Sequence, residues 1–239
     1  MKIVIETKEN IAKLAAQQYA QLLKRKPNAV LGCATGSTPL GLYTELAHLN
    51  KEGKITFKDV TTFNLDEYVG LEPTHDQSYR YFMNQNLFNH IDVRKERTFV
   101  PSGLITNNET AAQYDKDIEA AGGIDLQLLG IGCNGHIGFN EPGTPFGSVT
   151  HVVELTQNTR EVNSRFFSSI DEVPTKAVTM GIRTVMNARS IILIALGASK
   201  AQIIRDTIKG EITPNVPASV LQLHPDVTIY VDKEAAELI

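Results

Sequence analysis

Hydrophobic positions follow two alternating patterns along the chain. Short runs of Val, Ile and Leu are typical of strands buried on both faces, and they predict strands over residues 2–5, 29–33, 60–64, 126–131, 190–196 and 227–231. Segments with apolar residues at helical spacing lie between these runs and predict helices over residues 9–25, 40–51, 78–88, 109–121, 157–168 and 200–208. Strands alternating with helices are typical of a parallel sheet with right-handed crossovers.

This alternation predicts an α/β fold: a single-domain, three-layer, doubly wound and mostly parallel sheet with helices on both faces, a modified Rossmann-like architecture. The sequence contains no linker, low-complexity tract or internal repeat, so residues 1–239 are expected to form one domain. Two polar stretches rich in Pro and Gly, residues 140–150 and 210–219, are predicted to be surface loops near a site.

Composition and charge narrow the classes of function. The chain is 42% hydrophobic and 21% charged, as in ordinary globular proteins. Its formal net charge of −4, without a block of like charges, disfavours nucleic acid and anionic membranes as partners. The longest aliphatic run, residues 191–196, is far shorter than the roughly 20 residues of a membrane span.

Cysteine usage and the first residues predict a compartment. Charged residues follow Met1 too early for the apolar region of a secretory signal, and only Cys33 and Cys133 are present. These features predict a reduced, cytoplasmic setting. Both cysteines come at the ends of predicted buried strands and are expected to pack there as small apolar side chains.

The turn after strand 29–33 has the features of an anion cradle. Small residues in Thr35-Gly36-Ser37-Thr38-Pro39 allow backbone N–H groups to approach an oxyanion, and the start of the next helix, with Pro39 as its first residue, favours negative charge. The spacing differs from the dinucleotide fingerprint and from the lysine-bearing P-loop. An ordinary Ser/Thr helix cap explains the same residues, and both interpretations remain open.

A second strand-to-helix junction carries Lys200. A cation at the start of a helix is unfavourable unless an anion lies beside it, although an exposed lysine tolerates this small cost. The carboxyl ends of the strands of a doubly wound sheet line one crevice. The Thr35 turn and Lys200 are therefore candidates for binding one anionic ligand.

Two adjacent carboxylates, Asp66 and Glu67, follow strand 60–64. Side chains alternate in direction along a strand, so at most one of them is expected to face a reacting atom as a base. A solvated strand end is the alternative interpretation.

The loop after strand 126–131 contains His136 and Glu141 among several glycines. Imidazole titrates near neutral pH, and a nearby carboxylate can orient and tune it, which suits acid–base chemistry. A structural histidine is the alternative. The other histidines are scattered without ligand spacing and the cysteines are unpaired, so no metal site is predicted.

Taken together, these motifs resemble the glucosamine-6-phosphate deaminase family. The resemblance extends along essentially the whole chain and includes further signatures at residues 163–167 and 219–224. The motifs that carry it are Thr35-Gly36-Ser37-Thr38-Pro39, Asn64-Leu65-Asp66-Glu67-Tyr68-Val69-Gly70 and Asn134-Gly135-His136-Ile137-Gly138-Phe139-Asn140-Glu141-Pro142.

The resemblance implies a reaction that needs no cofactor: glucosamine 6-phosphate and water give fructose 6-phosphate and ammonium. It also implies that His136, supported by Glu141 and Asn134, opens the sugar ring, and that Asp66 then moves a proton from C2 to C1. The phosphate-binding residues that it implies are Thr35, Gly36, Ser37, Thr38, Arg165 and Lys200.

Two departures from the family pattern carry predictions. Asn134 stands where many relatives have Asp, so Glu141 is expected to dominate the tuning of His136. Hexameric relatives activated by N-acetylglucosamine 6-phosphate have basic residues at the positions of His151 and Val153 and a tail that extends beyond the position of Ile239. We therefore expect no such activation here, and a monomer or small homo-oligomer.

Two other functions are compatible with parts of the pattern. A 6-phosphogluconolactonase shares the phosphate loop and a Gly-His turn, but lacks the Phe139-Asn140-Glu141-Pro142 continuation. A non-catalytic sugar-phosphate sensor on this fold would carry a DNA-binding helix-turn-helix, whereas this sequence begins with a predicted strand.

Overall fold

A computed structural model describes residues 1–164 and 167–239, apart from the side chains of Asn158 and Val162. Its strands form a seven-stranded parallel sheet in the order β1-β10-β9-β6-β2-β3-β5 and a three-stranded antiparallel sheet in the order β4-β8-β7. The strands are β1 (Lys2–Ile5), β2 (Val30–Cys33), β3 (Thr61–Asn64), β4 (Asp66–Tyr68), β5 (Thr98–Phe99), β6 (Leu126–Leu129), β7 (His151–Glu154), β8 (Lys176–Thr179), β9 (Ile191–Ala195) and β10 (Val227–Val231).

The path of the chain through the parallel sheet creates a crevice. After the edge strand β1, the chain enters at β2 and moves outward through β3 to β5. It then returns to β6, on the other side of β2, and continues through β9 to β10. Ligands of such sheets bind at the carboxyl ends of the strands where the order reverses. That point lies between β2 and β6.

The α/β class and the mostly parallel sheet are confirmed. The helices are α1 (Lys8–Arg25), α2 (Leu40–Lys51), α3 (Tyr79–Met83), α4 (Asn108–Ala111), α5 (Gln113–Ala120), α6 (Gln157–Asn163), α7 (Ile182–Met186) and α8 (Ala201–Lys209). The predicted helix 78–88 begins as α3 and continues as a π-helical turn over Asn84–Phe88. The helix predicted from residue 157 ends at Asn163, and Pro39 immediately precedes α2.

The antiparallel sheet has no counterpart among the predicted strands. Its strand β4 pairs Asp66 with Thr179 and Tyr68 with Ala177 of β8. Asp66 and Glu67 are only 7% and 2% exposed, so the end of β3 is not a solvated strand end. Charged residues in so short a strand show no apolar periodicity, and for this reason the hydrophobic pattern does not predict the strand.

The core lies between the parallel sheet and its helices. Strands β6, β9 and β10 are buried along their whole lengths, as expected for the middle of a parallel sheet. Helix α1 is capped by Thr7, whose hydroxyl accepts a hydrogen bond from the Asn10 amide, and it buries one apolar face that includes Ile11, Ala15 and Tyr19. No helix in the described parts of the chain is long and apolar enough to cross a membrane.

Candidate active site

The candidate residues lie on segments that leave one edge of the parallel sheet. Strands β9, β6, β2 and β3 are neighbours, and each is followed by one of these segments; the one after β3 leads directly into β4 with Asp66. Cys33 of β2 pairs with Asn64 of β3, and the amide of Leu65 donates to the Cys33 carbonyl at 3.0 Å. Thr35 and Asp66 each come two residues after this pair. Their loops therefore leave the sheet side by side, in the same direction.

The turn after β2 is built to present polar groups. Gly36 has φ +90°, a left-handed conformation that other residues rarely adopt. Pro39 precedes α2, and no side chain caps this helix. Within the described residues, the hydroxyls of Thr35, Ser37 and Thr38 make no hydrogen bond. They therefore do not cap α2, contrary to the helix-cap interpretation. They remain available to an anion at the start of α2.

Lys200 reaches from the loop after β9 over the loop after β6. Its Nζ donates to the carbonyl oxygen of Ile131 at 2.7 Å and lies 3.3 Å from Sγ of Cys133. The ammonium thus lies against the loop that follows β6. Arg165, the other cation that the resemblance assigns to phosphate binding, lies outside the described residues.

One expectation about the cysteines is wrong. Cys33 is buried in β2, but Cys133 is exposed, and neither forms a disulfide. Strand β6 ends at Leu129, before the predicted end at residue 131, and the glycine-rich loop has already left the core when it reaches Cys133.

Asp66 is a buried carboxylate next to the loop that follows β6. A Cβ atom on Gly138 would lie 3.6 Å from Oδ2 of Asp66 and 2.8 Å from Oγ1 of Thr179, so these two segments are in close contact. Burial, and to a lesser extent the charge of Glu67, raises the pKa of Asp66 to about 8. In the described parts of the chain nothing donates a hydrogen bond to this carboxylate. It can therefore accept a proton near neutral pH.

Glu67 has a structural role. Its carboxylate accepts hydrogen bonds from the backbone amides of Tyr68 and Tyr79 at 2.9 Å and of Arg80 at 3.0 Å. These bonds fix the start of α3 to β4. The two adjacent acidic residues thus point to different surroundings, and only Asp66 lies against the loop after β6.

His136, Glu141 and Asn134 form one polar group. Nδ1 of His136 lies 3.5 Å from Oε2 of Glu141, and their side chains are 28% and 12% exposed. This is a charge contact, since Nδ1 makes no hydrogen bond within the described residues. Nδ2 of Asn134 donates to the same Oε2 at 2.5 Å, while its Oδ1 accepts from the His136 amide at 3.2 Å. Asn134 therefore holds the carboxylate beside the imidazole, as a donor that aspartate could not replace.

The ionisation of Glu141 follows from these neighbours. Burial raises its pKa, but the neighbouring His136 and hydrogen bonds from Thr159 and Asn134 outweigh burial and hold the pKa at about 2. Glu141 is consequently a carboxylate throughout the neutral range. A fixed negative charge beside Nδ1 orients the imidazole.

Gly132 makes room for the imidazole. A Cβ atom at this position would lie 2.3 Å from Cε1 and 2.5 Å from Nδ1 of His136. A side chain at Gly132 would therefore displace the histidine ring.

The site includes two threonines that the sequence patterns do not indicate. Thr159 of α6 donates to Oε1 of Glu141 at 2.7 Å, and Thr179 of β8 accepts a hydrogen bond from the Phe139 amide at 3.1 Å. Both are far from their partners along the chain. No local signal marks them, because their roles depend on how α6 and β8 pack against the loop.

Comparison with known proteins gives a consistent result. Residues 5–230 match the family described as glucosamine-6-phosphate isomerases/6-phosphogluconolactonase. A glucosamine-6-phosphate deaminase from Thermoanaerobacter pseudethanolicus is 55% identical over 100% of this chain and 95% of its own, and one from Clostridium perfringens is 52% identical over 99% and 98%.

Solved structures show the same fold. A monomeric glucosamine-6-phosphate deaminase superposes with a TM-score of 0.96 at 47% identity, with 100% of both chains covered. The 6-phosphogluconolactonase of Thermotoga maritima shares the fold with a TM-score of 0.76 at 19% identity, over 97% of this chain and 98% of its own. The match extends over almost the whole sequence, so the chain belongs to the glucosamine-6-phosphate isomerase/6-phosphogluconolactonase family.

Proposed function

We propose that this chain converts glucosamine 6-phosphate and water into fructose 6-phosphate and ammonium. The observation that carries the proposal is the buried Asp66 carboxylate against the His136 loop, next to the hydroxyls that follow the neighbouring strand. Full-length relatives named glucosamine-6-phosphate deaminase support the same activity.

Phosphate binding fixes the substrate in the crevice. The backbone N–H groups and hydroxyls of Thr35, Gly36, Ser37 and Thr38 would donate hydrogen bonds to the phosphate oxygens at the start of α2. Lys200, from the loop after β9, would add a positive charge. We assign Arg165 to the same phosphate on the resemblance alone. Holding a remote, unreactive group in this way orients C1 and C2 and lowers the barrier at the reacting carbons.

Ring opening requires one proton to leave the anomeric hydroxyl and another to reach the ring oxygen. His136 is suited to both transfers because imidazole changes charge near neutral pH. Glu141 stabilises the protonated imidazole formed between them, and Asn134 keeps that carboxylate in place. The product is the open aldehyde with an ammonium group on C2.

Asp66 then acts on the open chain. The C1 aldehyde and the C2 ammonium both acidify the C2 hydrogen, so the carboxylate can remove this proton. Transfer of one ammonium proton to the C1 oxygen completes a neutral enolamine. An approaching ammonium also favours the charged form of Asp66, whose pKa burial raises to about 8. Return of the C2 proton from Asp66 to C1 leaves an iminium group at C2, which water hydrolyses to the ketone and ammonium.

The direct test measures ammonium release from glucosamine 6-phosphate by the parent protein and by Asp66→Asn. We expect the variant to lose at least about a hundredfold in turnover, within the usual contribution of a general base, while it still binds the sugar phosphate. Asp226→Asn is a matched control, because Asp226 immediately precedes β10 at the opposite edge of the sheet.

Alternative functions give different results in the same assays. Hydrolysis of 6-phosphogluconolactone without ammonium release would support a lactonase, and tight sugar-phosphate binding without turnover would support a sensor. Ammonium release that survives Asp66→Asn would place the base elsewhere in the site.

The assembly and the location of the protein are further proposals. The structurally similar deaminase is described as monomeric. Activated hexamers have basic residues at two positions where this chain has His151 and the apolar Val153, both in β7. We propose a monomer or small homo-oligomer without activation by N-acetylglucosamine 6-phosphate. A cytoplasmic location remains a prediction from cysteine usage.

A further inference from the structure

We propose that Thr159 is a positioning residue for ring opening, acting through Glu141. This inference rests on the proposed function above and assigns a role in it to helix α6. Thr159 is 18 residues from Glu141 along the chain, yet its Oγ1 donates to Oε1 of that carboxylate at 2.7 Å.

The Glu141 carboxylate has a different task at each oxygen. Oε2 faces Nδ1 of His136 at 3.5 Å and accepts from Asn134 at 2.5 Å. Oε1 accepts from Thr159. Asn134 and Glu141 belong to one irregular loop, whereas Thr159 is a fixed point on a separate element. Without Thr159, rotation of the carboxylate plane would be restrained from one side only.

The direction of the Thr159 hydroxyl is itself determined. Thr156, which caps α6, accepts from the Thr159 amide at 3.2 Å, and its own hydroxyl donates to Oγ1 of Thr159 at 3.0 Å. Because Thr156 supplies the hydrogen of the bond between the two hydroxyls, the single hydrogen of the Thr159 hydroxyl is free to point towards Glu141. Thr159 is 6% exposed, so little water is available to replace this bond.

The far end of α6 is attached to the strand that carries Asp66. Nδ2 of Asn163 donates to the hydroxyl of Tyr68 in β4 at 2.9 Å. Helix α6 therefore contacts both the ring-opening group and the strand of the isomerisation base. Its position determines whether Thr159 can reach Glu141.

The consequence for Glu141 can be measured. Its pKa is about 2 partly because Thr159 donates to it. Loss of that donor leaves Oε1 with unused acceptor capacity in a partly buried site, which raises the pKa and loosens the carboxylate. We therefore expect a carboxylate that is held less firmly beside His136, and slower ring opening.

The experiment compares Thr159→Val, which removes the hydroxyl at constant shape, with Thr159→Ser, which retains it. Thr207→Val on α8 is the matched control, since Thr207 is fully buried in a helix and, in the described structure, its hydroxyl has no hydrogen-bond partner. We expect Thr159→Val to lower kcat about tenfold or more, the factor for a hydrogen bond to a charged group, with KM little changed. Serine should restore most of kcat.

A double-mutant cycle separates this role from a general effect on folding. If Thr159 acts through Glu141, Thr159→Val should have little further effect in a Glu141→Gln background. Equal effects of Thr159→Val in both backgrounds, a Thr159→Ser variant as impaired as Thr159→Val, or an unchanged kcat would each overturn the inference. Failure of the proposed function is recognised separately, because the parent protein would then release no ammonium.

Discussion

At the scale of single residues, Asp66 shows how the fold prepares a carboxylate for proton transfer. The side chain is 7% exposed and lies against the His136 loop, whereas its neighbour Glu67 accepts three backbone hydrogen bonds. Burial raises the pKa of Asp66 to about 8, from an ordinary value of 3.8. A base with this property is useful in the reaction but destabilises the folded protein.

We therefore expect Asp66→Asn to increase stability while it abolishes turnover. Between pH 4 and pH 8 the folded protein retains a proton on Asp66 that the unfolded chain releases, so the free energy of unfolding falls as pH rises through this window. The stability advantage of the variant should grow by up to about 1.4 kcal/mol per pH unit. Urea unfolding at several pH values measures it. A difference independent of pH would contradict this account of the Asp66 pKa.

Glu141 and Asn134 should contribute unequally to ring opening. Glu141→Gln removes the charge that faces His136, and we expect it to lower turnover about a hundredfold and to alter the pH profile. Asn134→Ala removes a donor but leaves the carboxylate with Thr159. Its effect should be smaller. Ring-opening rates measured across pH for both variants test this order, which a larger change in Asn134→Ala would reverse.

At the scale of elements, the loop after β6 connects the chemistry to the sheet. It begins where β6 ends at Leu129 and places Gly132 beneath the His136 imidazole. It then passes Gly138 against Asp66, and Thr179 of β8 holds the Phe139 amide. Close approaches of this kind require glycine at particular positions rather than flexibility along the whole loop.

Two glycines of this loop make a matched comparison. In Gly132→Ala, the new Cβ atom would lie 2.3 Å from the His136 ring and must displace it, so we expect turnover to fall at least about tenfold, as small misplacements at reacting groups cost up to about a hundredfold. In Gly130→Ala nothing lies within 4 Å of the new atom, and activity should be retained. Circular dichroism confirms that both variants fold. Equal activities of the two variants would argue against a fixed histidine ring.

At the scale of the whole molecule, the order of the strands assembles the site. Strands β9, β6, β2 and β3 are adjacent although the chain visits them at widely separated positions. The loops after them carry Lys200, His136, Thr35 and Asp66, respectively, to one edge. The antiparallel sheet and α6 then close around this edge through Thr179 and Thr159.

Simple saturation kinetics are expected of this protein. His151 and Val153 give β7 little of the basic character of activated hexamers, so we expect hyperbolic dependence on glucosamine 6-phosphate and no change with N-acetylglucosamine 6-phosphate. Sedimentation and initial-rate measurements check both points. Sigmoidal kinetics relieved by the acetylated sugar phosphate would show that the proposed lack of regulation is wrong.

Local patterns predict six of the seven strands of the parallel sheet and the residues of its strand-end motifs, but not the two-residue strand β5 or helix α7, which are too short to show a period. The predicted bounds of α2 agree with the structure, because apolar spacing and the Pro39 signal act within one helical turn or two. Family resemblance then brought Asp66, Asn134, His136 and Glu141 together as one group of residues with assigned roles. None of these inferences required distances between separate elements.

Other features depend on packing between distant parts of the chain. The pKa of Asp66, the exposure of Cys133, the antiparallel sheet and the bond from Thr159 to Glu141 arise where segments remote in sequence meet. Burial and hydrogen-bond geometry depend on these contacts between distant segments. Residue type and periodicity carry little information about such contacts. For this chain, the sequence alone indicated which groups take part, and folding in three dimensions established their ionisation, orientation and support.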